Sequence, residues 1–349
     1  MKYCAFDNFG RLANHLFVND GKEREKIVAA HRGQYPYMID RFQDAETFSF
    51  QLIGDTGEGD NSQLVMASDF TKMPQRYPDT RFAIILGDIV YPDGDDSDYE
   101  KRFFIPYRDY PKPIIGVVGN HDWYSKLRGY QKHFLSESAL AQQYQRPQVV
   151  QPNLYFFIET KRLRIICLDS GISGDRIDDE QMQWLREVCQ RDPADITKIL
   201  LLHHPLYAED ERRKIAGQLE SLVNQYRIKL TFGAHIHNYQ KYTITDVATG
   251  HQTVHLVNGG GGAGLSPTHP LADKKLVEDF YPSVADSNKK FPKILGLFRP
   301  PSWITNCKDE YPHYKSFCNV SVKPAGLEIT IFKKKGDQDP LEETTFRLT

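Results

Sequence analysis

Five short segments of this chain each close an extended stretch on a side chain able to ligate a metal. In order they are Gly54-Asp55-Thr56-Gly57, Gly87-Asp88-Ile89-Val90-Tyr91, Gly119-Asn120-His121-Asp122, His203-His204-Pro205 and Ala234-His235-Ile236-His237. Four follow apolar runs, FSFQLI, FAIIL, PIIGVV and KILLL, and the fifth follows the shorter IKLTF. Strands that stop on Asp, Asn or His deliver those groups to one edge of a sheet, where open α/β sheets place their sites. That constraint shapes the reading of everything else in the chain.

From Thr47 onward the pattern runs strand, loop, helix. Strands are predicted near 48–54, 81–87, 113–118, 153–159, 163–168, 197–202, 228–233 and 253–258, and helices near 62–73, 98–104, 178–191 and 209–226. Met182, Leu185 and Val188 have the spacing of a helix with one buried face. The runs at 155–158 and 163–168 suggest a hairpin in a second sheet. Two closing strands, 317–322 and 327–332, are joined by a Pro-Ala-Gly turn. Strands alternating with helices, then strand pairs, point to an α/β arrangement of two sheets packed between helical layers. Residues 1–46, with one predicted helix around Glu23–Arg32, read as an N-terminal extension packed on a main domain spanning 47–349. Within that domain, 263–313 reads as a loop insertion with little periodicity and several prolines. Loops this long are uncommon unless they serve a purpose such as covering a site. The run Gly259–Gly262 lacks a following Gly-Lys-Ser/Thr, so it reads as a link letting the backbone pass close to the ligand-bearing edge, not as a nucleotide cradle.

At 349 residues the chain can bury a sizeable core. A net charge of −2, with both signs interspersed, leaves no electrostatic footprint for nucleic acid or an anionic membrane. Anion affinity must therefore be built locally. No apolar run is long enough to span a bilayer and no signal-peptide pattern is seen, so a cytoplasmic setting is expected. The five cysteines, Cys4, Cys167, Cys189, Cys307 and Cys318, form no CxxC pair, which leaves a thiolate zinc site or redox dithiol unsupported. Cys307 and Cys318 could pair, but a reduced protein is the simpler account.

The five segments offer Asp55 and Asp88 as carboxylates, Asn120 as an amide oxygen, and His203, His235 and His237 as imidazoles. Mixed oxygen and nitrogen donors without thiolate suit zinc, manganese or iron rather than copper(I). Two such ions about 3.5–4 Å apart can acidify a water and clamp the oxygens of an in-line displacement at phosphorus. Taken singly, each residue has an ordinary explanation: an Asp after a strand is a turn or cap residue, and Tyr91 a packed aromatic. Their joint occurrence is what departs from that, since independent turn residues have no reason to complete two metal shells.

The order Gly-Asp, Gly-Asp, Gly-Asn-His, a lone His, then His-x-His resembles the calcineurin-like metallophosphoesterases over roughly residues 48–262. Gly57 stands where the wider family has a ligand His, and Tyr91 follows Asp88 by three residues, which resembles the purple acid phosphatase branch. Gly233 is displaced by one from the family's Gly-His-x-His, with the His-x-His spacing kept. The resemblance implies a four-layer αββα sandwich with a dinuclear metal site at the strand C-terminal edge. It implies Asp55, Asp88, Tyr91 and His237 around a first metal, favoured as Fe(III), and Asp88, Asn120, His203 and His235 around a second, Fe(II), Zn or Mn, with Asp88 bridging. It places His121 as the catalytic group that contacts phosphate and protonates the leaving oxygen. His204 becomes a possible substrate contact and Asp122 either an orienter of His121 or a helix cap. The implied activity is hydrolysis of a phosphate ester on a phosphorylated small molecule, a phosphomonoester first, with a diester or pyrophosphate as the alternative. A non-catalytic scaffold or a redox protein would be the readings from other classes. A monomer or weak oligomer is expected.

Overall fold

Phe48–Ile53 is buried at every position, as are Leu163–Cys167 and Leu230–Gly233, the signature of strands covered on both faces. The computed structural model describes residues 20–191, 193, 195–286, 314–336 and 338–349. Residues 1–19 of the predicted extension and 287–313 of the predicted insertion, including Cys307, lie outside that range.

Two mixed sheets carry the fold. The larger has eight strands: β1 (Met38–Ile39), β5 (Phe156–Glu159), β6 (Leu163–Cys167), β7 (Thr197–Leu201), β10 (Leu230–Gly233), β12 (Gln252–Asn258), β11 (Tyr239–Thr245) and β13 (Val277–Tyr281), in that spatial order. The smaller runs β16 (Glu342–Leu348), β15 (Gly326–Lys334), β14 (Lys315–Lys323), β2 (Phe48–Ile53), β3 (Thr80–Ile85) and β4 (Ile114–Gly116). β2, β3 and β4 are mutually parallel, and so are β6, β7 and β10. Their C-terminal ends therefore open on one edge. The sheets bury a continuous core between them, and polar stitches join them near that edge. Asn258 donates to the Leu52 carbonyl at 3.2 Å and accepts from the Ser316 hydroxyl at 3.2 Å. Helices lie outside, which completes the four layers. Asp179–Gln190 is one of them, capped by Asp178 accepting from the Gln181 amide. Its buried residues include the expected Met182, Leu185 and Val188, together with Trp184.

Several elements depart from expectation. The helix expected over 209–226 forms only at Ala216–Gln225. Ahead of it, β8 (Tyr207–Ala208) and β9 (Glu211–Arg212) make a two-residue hairpin. Glu209 and Asp210 turn it in the left-handed region, at φ +55° and +63°. The reason is non-local: the Asp210 carboxylate accepts from the amides of Lys275, Leu276 and Val277, sixty-five or more residues away. The stretch 62–73 divides into Asn61–Phe70 and Met73–Arg76, and 98–104 into Asp96–Tyr99 and a π turn at Glu100–Phe104. Helices at Arg128–Phe134 and Ala139–Gln143 and strands β1, β11, β13 and β16 had no predicted counterpart. Met38–Ile39 pairs with β5, and Val277–Tyr281 pairs with β11. Cys167, Cys189 and Cys318 are buried free thiols. Among the described residues no helix is long and apolar enough to cross a membrane.

Candidate metal centre

The turns that leave the strands are bent hard. Asp55, Asp88 and His235 all sit in the left-handed region, at φ +56°, +51° and +64°. Each such residue costs on the order of 1 kcal/mol or more unless its surroundings hold it there. Here the turns hold one another. Asp55 Oδ2 accepts from the His235 amide at 2.9 Å, and Asp88 Oδ1 accepts from the His121 amide at 2.9 Å. The Asp55 and Thr56 amides donate to the carbonyls of Gly87 and Asp88. Backbone from both sheets is thereby locked into one rim.

On that rim the seven expected ligands come together in two overlapping groups. Around the Tyr91 hydroxyl lie Asp88 Oδ2 at 2.9 Å, Asp55 Oδ1 at 3.2 Å and His237 Nε2 at 3.2 Å. Around Asn120 Oδ1 lie His235 Nδ1 at 2.9 Å and His203 Nε2 at 3.0 Å, with His203 Nε2 also 3.4 Å from Asp88 Oδ1. Asp88 thus turns one oxygen to each group.

Partners behind these rings aim them. His203 Nδ1 donates to the Leu86 carbonyl at 2.8 Å and His237 Nδ1 to the Gly264 carbonyl at 2.5 Å. With each Nδ1–H committed, Nε2 turns its lone pair inward, the usual device for presenting an imidazole to a metal. His203 Nε2 then faces Asn120 Oδ1 and Asp88 Oδ1, acceptor against acceptor at contact distance. Such an arrangement demands either an added proton or a shared cation, so this donor set fits a metal pair. The amide of Asn120 is fixed from its other end, where Nδ2 donates to the Tyr124 hydroxyl at 2.8 Å.

The electrostatics agree. Burial pushes the His203 pKa down, but the Asp88 carboxylate outweighs it and holds the ring up to about 9. Asp88 is held well below the usual carboxylate range: burial works upward, and the charges of His203 and His121 overcome it. Burial, then the Asp88 and Asp55 carboxylates, push the Tyr91 phenol well above its ordinary value. Only a close cation of high charge would make it a phenolate. Burial and then the positive His203 press His235 down to about 3, so it stays a neutral donor.

His121 lies at the mouth. Its Nδ1 donates to the Pro92 carbonyl at 2.5 Å, its Nε2 is 4.0 Å from Asp88 Oδ2, and its side chain is 25% exposed. Tyr91 and Tyr124 flank the ring at 4.4 and 4.8 Å between centroids. Asp122 takes the cap role rather than that of an orienter. Its carboxylate accepts from the amides of Gly119 at 2.9 Å and Ile89 at 3.1 Å, tying the second segment to the third. His204 packs on His235 at 4.3 Å, with Nδ1 on the Ser170 hydroxyl at 2.8 Å. Donor atoms of His203, His204 and His235 lie within 4.8 Å of one another, as do those of Asp55, Asp88 and His203. Arg212 is committed to Glu220 at 2.6–2.9 Å.

Gly57 explains how Tyr91 takes its place. A Cβ there would meet the Ile89 carbonyl oxygen at 2.2 Å and Val90 Cα at 2.5 Å, so no side chain fits. The Gly57 carbonyl instead accepts the Tyr91 amide at 3.0 Å. Gly259–Gly262 does run against the first turn: the Gly261 amide donates to the Gly54 carbonyl at 2.9 Å. Sequence reasoning missed Tyr124, Ser170 and the carbonyls of Leu86 and Gly264. For Tyr124 a signal existed, its i+4 spacing from Asn120; the others depend on contacts far apart in sequence.

A calcineurin-like phosphoesterase family model matches residues 48–239, more than half of the chain. The chain belongs to that family. Among curated proteins it is 25% identical over 299 residues to a phosphoenolpyruvate phosphatase of Allium cepa, covering 81% of this chain and 55% of that protein. It is 27% identical over 141 residues to purple acid phosphatase 22 of Arabidopsis thaliana, covering 35% and 31%. The chain thus spans about half or less of the length of these relatives. Among solved structures, purple acid phosphatase PPD1 of yellow lupin (Lupinus luteus) superposes with a TM-score of 0.58 at 14% identity, covering 87% of this chain and 54% of that one. GAP50, the anchor in the inner membrane complex of Plasmodium, superposes at 0.59 and 13%, covering 87% and 89%. These likenesses are of fold, and they agree with the layered architecture.

Proposed function

We propose that this chain hydrolyses phosphate esters, phosphomonoesters first, at a two-metal centre. The observation that carries the reading is the pair of donor groups sharing Asp88: Asp55, Tyr91 and His237 on one side, Asn120, His203 and His235 on the other. The names of the relatives support the same chemistry, since those matched in sequence are phosphatases.

Two metal ions held by these residues would supply charge neutralisation and nucleophile activation when bound. Iron(III) would suit the Tyr91 side, where a hard ion favours an anionic phenol oxygen, and Fe(II), Zn or Mn would suit the Asn120 side. The chain's own residues do the rest. Asp88 sets the spacing of the two groups. His121, its Nδ1–H spent on Pro92, holds Nε2 4.0 Å from Asp88 Oδ2 and passes a proton from it to the departing oxygen. His204, held neutral by burial first and then by its imidazole neighbours His235 and His203, offers Nε2 as a phosphate contact. Tyr91 and Tyr124 wall the ring of His121 and narrow its swing.

Metal content measured alongside hydrolysis of nitrophenyl monoester and diester tests the reading. Two metals per chain, iron among them, with the monoester preferred is the expected result. Diester preference keeps the site and moves the substrate class. Protein that takes up no metal and turns over neither ester on reconstitution defeats the proposal and favours a scaffold, in keeping with the anchor role of GAP50. His121→Ala should slow poor leaving groups far more than good ones; equal slowing would make it a phosphate contact only.

A further inference from the structure

Asn120 and His121 stand on a single turn, Asn120–Trp123, too short to hold its own shape. Its position is set by what grips its far end. There the Trp123 indole Nε1 donates to Asp169 Oδ1 at 3.0 Å, both side chains being fully buried. The other oxygen of Asp169 accepts from Arg24 Nε at 2.7 Å, on the helix Asp20–Ala30, and the Arg24 guanidinium lies 5.2 Å from the centre of the Trp123 ring. Asp178 Oδ2 at 3.6 Å and Asp20 Oδ2 at 3.8 Å complete the surroundings of that guanidinium. Asp20 Oδ2 also accepts from the Ile172 amide at 3.1 Å, so the helix is pinned to the same loop twice.

The residue after Asp169 reaches the opposite side of the site. The Ser170 hydroxyl accepts from the His204 amide at 3.2 Å and has its own hydrogen for His204 Nδ1 at 2.8 Å. One dipeptide, Asp169-Ser170, thus touches the segment bearing Asn120 and His121 and the segment bearing His203 and His204. We propose that the helix Asp20–Ala30 is a working part of the site. Arg24 is its positioning residue, fixing Asp169 and through it the turn that aims Asn120 and His121. Without Arg24 the buried carboxylate keeps the Trp123 indole and the Gly171 amide on Oδ1, but Oδ2 loses its charge-assisted partner and the group is driven to rotate. Rotation weakens its grip on the Trp123 indole, and His121 loses its register with the leaving group. The kinetic consequence rests on the hydrolase reading above; the structural one does not.

The test compares Arg24→Met, which keeps the apolar stem, with Arg24→Lys, which keeps the charge. Indole ¹⁵N–¹H spectra read Trp123 directly, since the chain has only three tryptophans and Trp123→Phe assigns the signal. In Arg24→Met we expect the Trp123 resonance to move and kcat for an alkyl phosphate to fall about tenfold, in the range typical of groups that aim active residues. The fall for nitrophenyl phosphate should be much smaller, KM should stay close to wild type, and Arg24→Lys should recover most of the loss. A lower melting temperature with unchanged leaving-group dependence would overturn the proposal, as would an unmoved indole signal. If the wild-type protein turns over no phosphate ester, the hydrolase reading fails, and the indole signal alone decides the brace: a shift sustains it and no shift sinks it.

Discussion

Gly57→Ala places a methyl group where the chain has no room. The new Cβ would sit 2.2 Å from the Ile89 carbonyl oxygen, 2.5 Å from Val90 Cα and 2.6 Å from the Ile89 carbonyl carbon, whereas ordinary contact begins at 3.4 Å. All three are backbone atoms, so no rotamer change relieves them. The Ile89–Val90 segment must retreat by roughly 1 Å, at an overpacking cost of about 2–3 kcal/mol. That segment is held at one end by the Asp122 carboxylate on the Ile89 amide and carries Tyr91 at the other. A retreat of that size takes the Tyr91 hydroxyl out of reach of Asp55 and His237, each 3.2 Å away. Misplacement by 1 Å at a reacting centre is enough for about a hundredfold loss of rate. Thermal and urea melts, metal content and kcat on nitrophenyl phosphate read the three effects, with Gly33→Ala as the control because its Cβ would meet nothing within 4 Å. If Gly57→Ala melts with the wild type and keeps two metals, the reasoning about how Tyr91 reaches the site is wrong.

Other expectations follow from the same geometry. In iron-loaded protein, Tyr91→Phe should abolish a broad visible absorption band; a band that survives removes Tyr91 from the first metal. Asp122→Ala strands the buried amides of Gly119 and Ile89, at about 2–5 kcal/mol for the pair, while Asp122→Asn, which keeps one acceptor oxygen, should cost about half as much in urea titrations. Equal losses would mean that the charge, not the acceptors, matters. Burial pushes the His255 pKa down to about 3, against a weak upward pull from Glu220. The unfolded chain takes up a proton at this residue as pH falls below about 6.5 and the folded chain does not, so stability is full above that pH and is lost below it. His255→Gln, which can keep the Thr231 contact, should flatten the stability curve between pH 6 and 4 by about 1.4 kcal/mol per pH unit. Parallel curves for the two proteins would refute the assignment.

What could be read without coordinates was what repeats locally. Apolar runs ending on Asp, Asn or His announced β2, β3, β4, β7 and β10 and the groups they deliver, because a strand's burial and its end are written in adjacent residues. The pairing of Gly57 with Tyr91 was legible only through the resemblance to the purple acid phosphatase branch, against which Gly57 lacks a ligand side chain and Tyr91 supplies one in the next segment. Tertiary structure decided what depends on distant partners. The hairpin at 207–212 displaced a predicted helical start because Asp210 caps amides near residue 276. Tyr124, Ser170 and the carbonyls of Leu86 and Gly264 gained their roles only when separate loops met. Arg24 belongs with these: on its own it is a cation on a polar helix, and only folding brings it to Asp169 and the Trp123 ring. The sequence alone determined which chemical groups gather at one edge, since strand ends encode that locally. Their aim and protonation came from the fold, because both depend on charges and hydrogen bonds contributed by segments remote in the chain.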